Sequence, residues 1–171
     1  MPDKIRISGI AAQSIVDGPG LRFVVFAQGC PHNCPGCHNP QTHDFDGGFN
    51  CSTIKLLELI DSNPLLSGVT FSGGEPFCRA DELVPLAKAV KSRGKNLLCY
   101  SGYTFEQLLD LSKANSDIFT LLELTDILVD GPFVLSQRDL TLRFRGSKNQ
   151  RILNVCSSIK KGSAVLAVLP D

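Results

Sequence analysis

The chain alternates short, nearly continuous apolar runs with longer stretches in which apolar residues recur every three to four positions. Leu21 to Ala27, Val69 to Ser72, Asn96 to Tyr100 and Asp126 to Asp130 are runs of the first kind and predict buried strands, with Ile5 to Ile7 as a shorter initial one. The second kind predicts helices. Ile54 to Ile60 keeps Lys55, Glu58 and Asp61 on one polar face, with Ser52 or Thr53 as its cap and Pro64 as its stop. Leu83, Leu86, Ala87 and Val90 fall at i, i+3, i+4 and i+7, with Asp81 as the expected cap and Gly94 as the stop. Thr104 with Gln107 makes a capping box, and Ile118 to Leu124 extends the helical layer. Beyond Gly131-Pro132 the pattern weakens, and Arg151 to Val155 and Ala164 to Leu169 read as further strands of no assigned order.

Strand, helix, strand, helix, with connections long enough for parallel crossovers, favours a layered α/β fold. About four to six strands fall short of the eight of a full barrel. With 171 residues and no repeat, low-complexity tract or linker, the expectation is a single domain over residues 1–171.

Composition narrows the partners. The chain is 43% hydrophobic and 20% charged with zero formal net charge, which excludes disorder and a general attraction to nucleic acid or membrane. No stretch approaches the roughly 20 apolar residues of a membrane span, and Met1 to Ile5 lacks the basic start of a secretory signal. A cytoplasmic location is expected. Seven cysteines fit a reducing compartment, where thiols stay available to metal.

Three of them, Cys30, Cys34 and Cys37, stand in the loop after the Leu21 to Ala27 strand, where parallel α/β folds place their chemistry. Soft thiolates this dense point to a metal site. Closed zinc sites and electron-carrying clusters recruit four protein ligands, so one position is left over. His38 or His32 in that position would make a zinc knuckle; a disulfide leaves one cysteine unpaired. Cys51, Cys99 and Cys156 read as small buried hydrophobes. Cys78 is open, because it follows Gly73-Gly74-Glu75-Pro76 by two residues, and that turn repeats the cysteine loop's position after a strand.

C-x3-C-x2-C followed by Gly73-Gly74-Glu75-Pro76 resembles the radical S-adenosylmethionine superfamily. Ser14-Ile15-Val16-Asp17-Gly18-Pro19-Gly20-Leu21-Arg22 and Cys37-His38-Asn39-Pro40 look like the glycyl-radical-enzyme activating group. Leu128 to Phe133 with Phe144-Arg145-Gly146-Ser147-Lys148-Asn149-Gln150-Arg151 is similar to the activating proteins of anaerobic ribonucleoside-triphosphate reductase.

The resemblance implies a short, incomplete (β/α)6-type barrel. It implies one 4Fe-4S cluster on Cys30, Cys34 and Cys37, with the fourth iron open to S-adenosylmethionine. Gly36, Cys37 and His38 would meet the adenine side, Gly36 standing where many members carry an aromatic residue, and Gly73, Gly74 and Glu75 the amino-acid end. No side chain is assigned as a general acid or base. The implied activity is reductive cleavage of S-adenosylmethionine to a 5'-deoxyadenosyl radical that makes a glycyl radical on the reductase, with a flavodoxin-type electron donor. Three alternatives stay open: activation of pyruvate formate-lyase or another glycyl radical enzyme, radical chemistry on a small molecule, and a non-catalytic zinc or iron-sulfur docking module. Asp130 reads equally as a ligand contact or a cap, and Arg143, Arg145, Lys148 and Arg151 as a partner surface or a solvated loop. His32 and His43 read as surface loop residues and carry no assigned role.

Overall fold

The computed structural model describes residues 3–169. Its strands are β1 (Lys4–Ser14), β2 (Arg22–Ala27), β3 (Phe49–Ser52), β4 (Gly68–Gly73), β5 (Asn96–Tyr100), β6 (Ile127–Asp130) and β7 (Arg151–Asn154). They form one mixed seven-stranded sheet in the order β3-β1-β2-β4-β5-β6-β7. β2, β4, β5 and β6 run parallel, with Phe23, Val69 and Leu97 abreast, whereas β1, β3 and β7 add antiparallel at the two edges.

The helices are α1 (Thr53–Asp61), α2 (Ala80–Ser92), α3 (Phe105–Leu111), α4 (Ser116–Leu124) and α5 (Val155–Lys161). Strand side chains alternate between faces. Phe23, Val25, Val69, Phe71, Leu97, Cys99 and Leu128 point to the helices and share one core with Leu56, Leu83, Leu86, Val90, Leu108 and Leu121. Val24, Thr70, Leu98 and Val129 point the other way and are buried too. Burial on both sides is why these runs read as continuous rather than alternating.

The Ser52 hydroxyl caps α1 by accepting from Lys55 N, and Thr104 and Gln107 close their capping box on α3. α2 departs from expectation. A 3-10 turn, Pro76–Arg79, runs straight into it, so Arg79 is the capping residue and Asp81 already lies in the first turn, where the helix dipole favours an acid.

β1 is 11 residues long, well beyond Ile5 to Ile7, because it pairs with β2 along one edge and β3 along the other. β3 and α5 carry too few apolar positions to have been predicted. Residues 164–169 form no strand; Leu166 makes a single bridge to Leu153, and Val168 is 98% exposed. Among the described residues no helix is long and apolar enough to cross a membrane.

Candidate functional site

Loops, not helices, cover the second face of the sheet. Arg22 is buried there with no carboxylate partner among the described residues. It donates to Thr70 Oγ1 (2.7 Å), Pro19 O (3.0 Å), Val69 O (2.9 Å) and Asn96 Oδ1 (2.9 Å), which pins the 17–20 turn to the strands. Burial pulls its pKa down to about 10, so it stays charged at neutral pH. On the other side of the same face, Tyr100 Oη donates to Phe144 O (2.7 Å) and ties down the 131–150 loop. Between these loops and the ends of the parallel strands lies a cavity of about 360 Å³.

Cys30, Cys34 and Cys37 all line this cavity, together with His38, Gly73 and Gly74. The loop after β2 and the turn after β4 are joined through backbone. Gly74 N donates to Ala27 O (2.9 Å), Glu75 N to Gly29 O (2.8 Å) and Gly29 N to Thr42 O (2.7 Å). Gly73 has φ +96°, and a Cβ there would stand 2.7 Å from Ala27 N; one on Gly74 would stand 2.4 Å from Gly29 O. Both positions accept only glycine.

Two residues expected at the cofactor lie off the cavity wall. Gly36 turns toward Leu135 and Phe133 of the opposite loop. Glu75 is fully buried and its carboxylate is already occupied. Ser101 Oγ (2.8 Å) and Gly102 N (2.8 Å) donate to Oε1, and Phe77 N donates to Oε2 (3.0 Å). His32 Nε2 stands 2.6 Å from Oε1. A carboxylate ringed by donors only accepts, so the His32 nitrogen carries the proton. The imidazole lies over Gly102 and meets the Tyr103 ring edge-on at 4.4 Å. His32 is therefore not a surface residue: it bolts the cysteine loop to the turn after β4 and to the end of β5.

The thiols fit an iron-sulfur cluster. Burial pushes the Cys30 thiol up, with the Glu75 charge adding to the shift, so a cationic group is needed to hold it as thiolate. Asn39 N donates to Cys37 Sγ (3.4 Å), a contact that stabilises negative charge on sulfur. His43 also lines the cavity, and its Nε2 is buried with no partner among the described residues. Among the described residues no three Cys, His, Asp or Glu side chains converge closely enough to hold a single ion.

Asp130 resolves as a structural residue. Its Oδ2 accepts from Phe105 N (2.7 Å) at the start of α3, and both oxygens pair with Arg151, which also reaches Glu106. Arg145 Nη1 donates to Gln150 O (2.6 Å) and Arg143 stacks on Phe144, so the basic segment is largely built into its own loop. Gln150 and Asn149 clamp Gly131 O and Pro132 O. Cys78 faces the Tyr103 hydroxyl (4.0 Å), off the cavity wall, and burial raises its thiol to about 11. Cys99 is buried as expected, Cys51 is half-buried, and Cys156 is exposed, against expectation.

Sequence reasoning missed His32, Ser101, Gly102, Tyr100 and His43. The rule that placed the cysteine loop, chemistry at the C-terminal ends of parallel strands, applies equally to Tyr100-Ser101-Gly102 after β5.

A family described as a 4Fe-4S single cluster domain matches residues 16–153. The anaerobic ribonucleoside-triphosphate reductase-activating protein of Vibrio cholerae serotype O1 is 34% identical over 146 residues, 81% of this chain and 90% of that protein. The protein of the same name from Escherichia coli K12 is 31% identical over 144 residues (80% and 90%), and that of Enterobacteria phage T4 is 33% identical over 145 (80% and 86%). Among solved structures, QueE from Escherichia coli overlaps 59% of this chain and 53% of its own, with a TM-score of 0.48 at 19% identity.

Proposed function

The chain belongs to the 4Fe-4S single-cluster family and, within it, to the anaerobic ribonucleoside-triphosphate reductase-activating proteins, and from that premise we propose that it generates the glycyl radical of that reductase. Cys30, Cys34 and Cys37 are the ligands we assign to one 4Fe-4S cluster. The observation that carries the reading is that these three thiols and the Gly73-Gly74 backbone share one cavity wall. When bound, the cluster supplies the electron that cleaves S-adenosylmethionine reductively to a 5'-deoxyadenosyl radical.

The protein's own residues bind and position. Gly73 and Gly74 bring bare backbone to the cavity, where the amino-acid end of S-adenosylmethionine would sit. Glu75 serves that end only through its backbone, since its side chain holds His32, Ser101 and Gly102 in place. Cys37 and His38 face the adenine side, with His38 backed by the Phe133 ring at 5.1 Å. Gly36 acts through the turn it permits, not by contact. No proton transfer is assigned to a side chain.

The four parallel strands with helices on one side are read as a shortened, open form of the (β/α)6 barrel, and residues 1–171 as one domain. A cytoplasmic setting and a flavodoxin-type electron donor complete the reading.

The test is anaerobic reconstitution with iron and sulfide, followed by reductant and S-adenosylmethionine, for the native chain and Cys34→Ala. The expected result is 5'-deoxyadenosine and methionine from the native chain alone, and a glycyl radical signal on added reductase. A native chain that holds zinc, or a cluster that leaves S-adenosylmethionine intact, overturns it.

A further inference from the structure

We propose that Val16 and Leu140, on the two loops that frame the cysteine cavity, form an apolar rim that grips the glycine-bearing segment of the reductase. The inference deepens the function proposed above and rests on it.

Exposed apolar side chains scattered singly over a surface need no explanation, but at a cavity mouth they mark a place to be covered. Among the described residues the large exposed hydrophobics on the cavity wall are Val16, 71% exposed, and Leu140, 81% exposed. They come from separate stretches of chain, the loop between β1 and β2 and the 131–150 loop. Each is held in place. Ser14 Oγ donates to Asp17 Oδ2 and accepts from Val16 N (3.3 Å), while Thr70 Oγ1 donates to Asp17 O (2.7 Å) and ties that turn to β4. On the other loop Asp139 Oδ1 accepts from Thr141 N (2.9 Å) and Thr141 Oγ1 (2.6 Å), closing a turn around Leu140. Turns ordinarily carry Gly, Pro, Asn, Asp or Ser. Here each presents an aliphatic side chain in a fixed position, which lowers the cost of ordering it on contact.

The occupant follows from exposure and chemistry together. Side chains this exposed lie at the outer edge of the wall, so a small molecule inside the cavity leaves them in water, whereas a polypeptide crossing the mouth covers both. A 5'-deoxyadenosyl radical takes a hydrogen from a glycine Cα, becoming 5'-deoxyadenosine, only at van der Waals contact. The segment that carries the glycine must therefore enter by the mouth. A second copy of this chain seated there would shut the reductase out. The charged groups on the same wall are already engaged, Asp17 with Ser14, Asp139 with Thr141 and Arg145 with Gln150 O. Recognition thus falls to apolar side chains flanking the glycine.

The experiment uses the full chain, reconstituted anaerobically, and full-length reductase. 5'-Deoxyadenosine from the native chain without reductase is read first; a native chain that makes none overturns the function reading and this inference with it. The initial rate of glycyl radical formation, read by EPR, is then titrated against reductase for native, Val16→Ser, Leu140→Ser, both together, and Ile54→Ser. Ile54 is the control, 68% exposed on α1 across the sheet. The reductase concentration at half-maximal rate should rise about threefold for each single substitution and about tenfold for the pair, with the rate at saturation within about twofold of native. Ile54→Ser should match native. Raising the ionic strength should move the native half-saturation by less than about twofold.

A photo-cross-linking side chain gives an independent readout. Leu140→p-benzoylphenylalanine, irradiated in the mixture, should join to the reductase peptide that contains the radical glycine. An unchanged half-saturation in the double variant overturns the inference, as does a loss of rate at saturation alone or a steep salt dependence. So does a cross-link to a second copy of this chain or to a reductase segment remote from the glycine. Exposed substitutions should leave the unfolding midpoint near native; where one lowers it, the cross-link and the salt dependence decide between the same outcomes.

Discussion

The two faces of the sheet are buried by different means. On one, helices lay apolar side chains over Phe23, Phe71, Leu97 and Leu128, and these residues form one hydrophobic core. On the other, two loops cover Arg22, Thr70 and Tyr100 through hydrogen bonds and leave a cavity between them. A dense apolar layer gains its stability from area removed from water and does not depend on any one orientation. A polar layer depends on the direction of each bond, which suits a site that must hold thiols and backbone in fixed positions. Stability and chemistry are thus divided between opposite sides of the same strands.

The sharpest test of this division is a pair of substitutions. Phe71→Ala on the helix face should cost about 3–5 kcal/mol in denaturant unfolding. Cys34→Ala on the loop face should shift the metal-free chain by under ~0.5 kcal/mol while abolishing iron retention. Similar unfolding costs for both would show that the faces are not separate in this sense.

Glu75 is where the division should fail. It belongs to the loop face, yet it is fully buried and gathers donors from the cysteine loop, the turn after β4 and the end of β5. Glu75→Gln removes the charge and sets an amide N–H2 against those donors. The expected loss is about 1.5–3 kcal/mol, read from denaturant midpoints. A change near zero would mean that the network is ornamental to stability and that His32 is held by packing on Tyr103 alone.

The smallest effect belongs to the rim. Arg151 holds the Glu106 carboxyl below its usual range through a hydrogen bond, but the Glu106 side chain is 56% exposed, so solvent screening leaves the pair only about 0.2–1 kcal/mol. A depressed folded pKa stabilises above the unfolded value, about 4.3, and that gain is lost as pH falls through the folded value. The stability gap between native and Glu106→Gln should therefore be flat near neutral pH and close in acid. A gap that widens in acid would contradict the pairing.

The helix face was legible because its signal is periodic. Leu83, Leu86, Ala87 and Val90 announce their own burial, and all four are fully covered. The cysteine loop was legible through spacing, and its position after β2 through the strand that precedes it. What could not be read was pairing across distance. His32 and Glu75 are 43 residues apart, and nothing in either segment marks the other. Asp130 offered two roles, and only Arg151 and Phe105 N, brought to it by β7 and α3, decide between them. Residues 164–169 show the opposite failure: an apolar run that meets β7 at one bridge, Leu166 to Leu153, and extends no further into a strand. The motif marks Glu75 as part of the turn after β4, and nothing in it announces that the side chain accepts from Ser101, Gly102 and Phe77 N.

The crossing of backbones at Gly73 and Gly74 has a consequence for inherited variation. A Cβ at either position would meet main-chain atoms, at 2.7 Å from Ala27 N or 2.4 Å from Gly29 O, and main chain cannot swing aside as a flexible side chain does. Every coding change at these two glycine codons adds at least that carbon. Neutral drift can therefore pass through them only by synonymous substitution, and a saturation library selected for a working chain should return both codons unchanged in meaning.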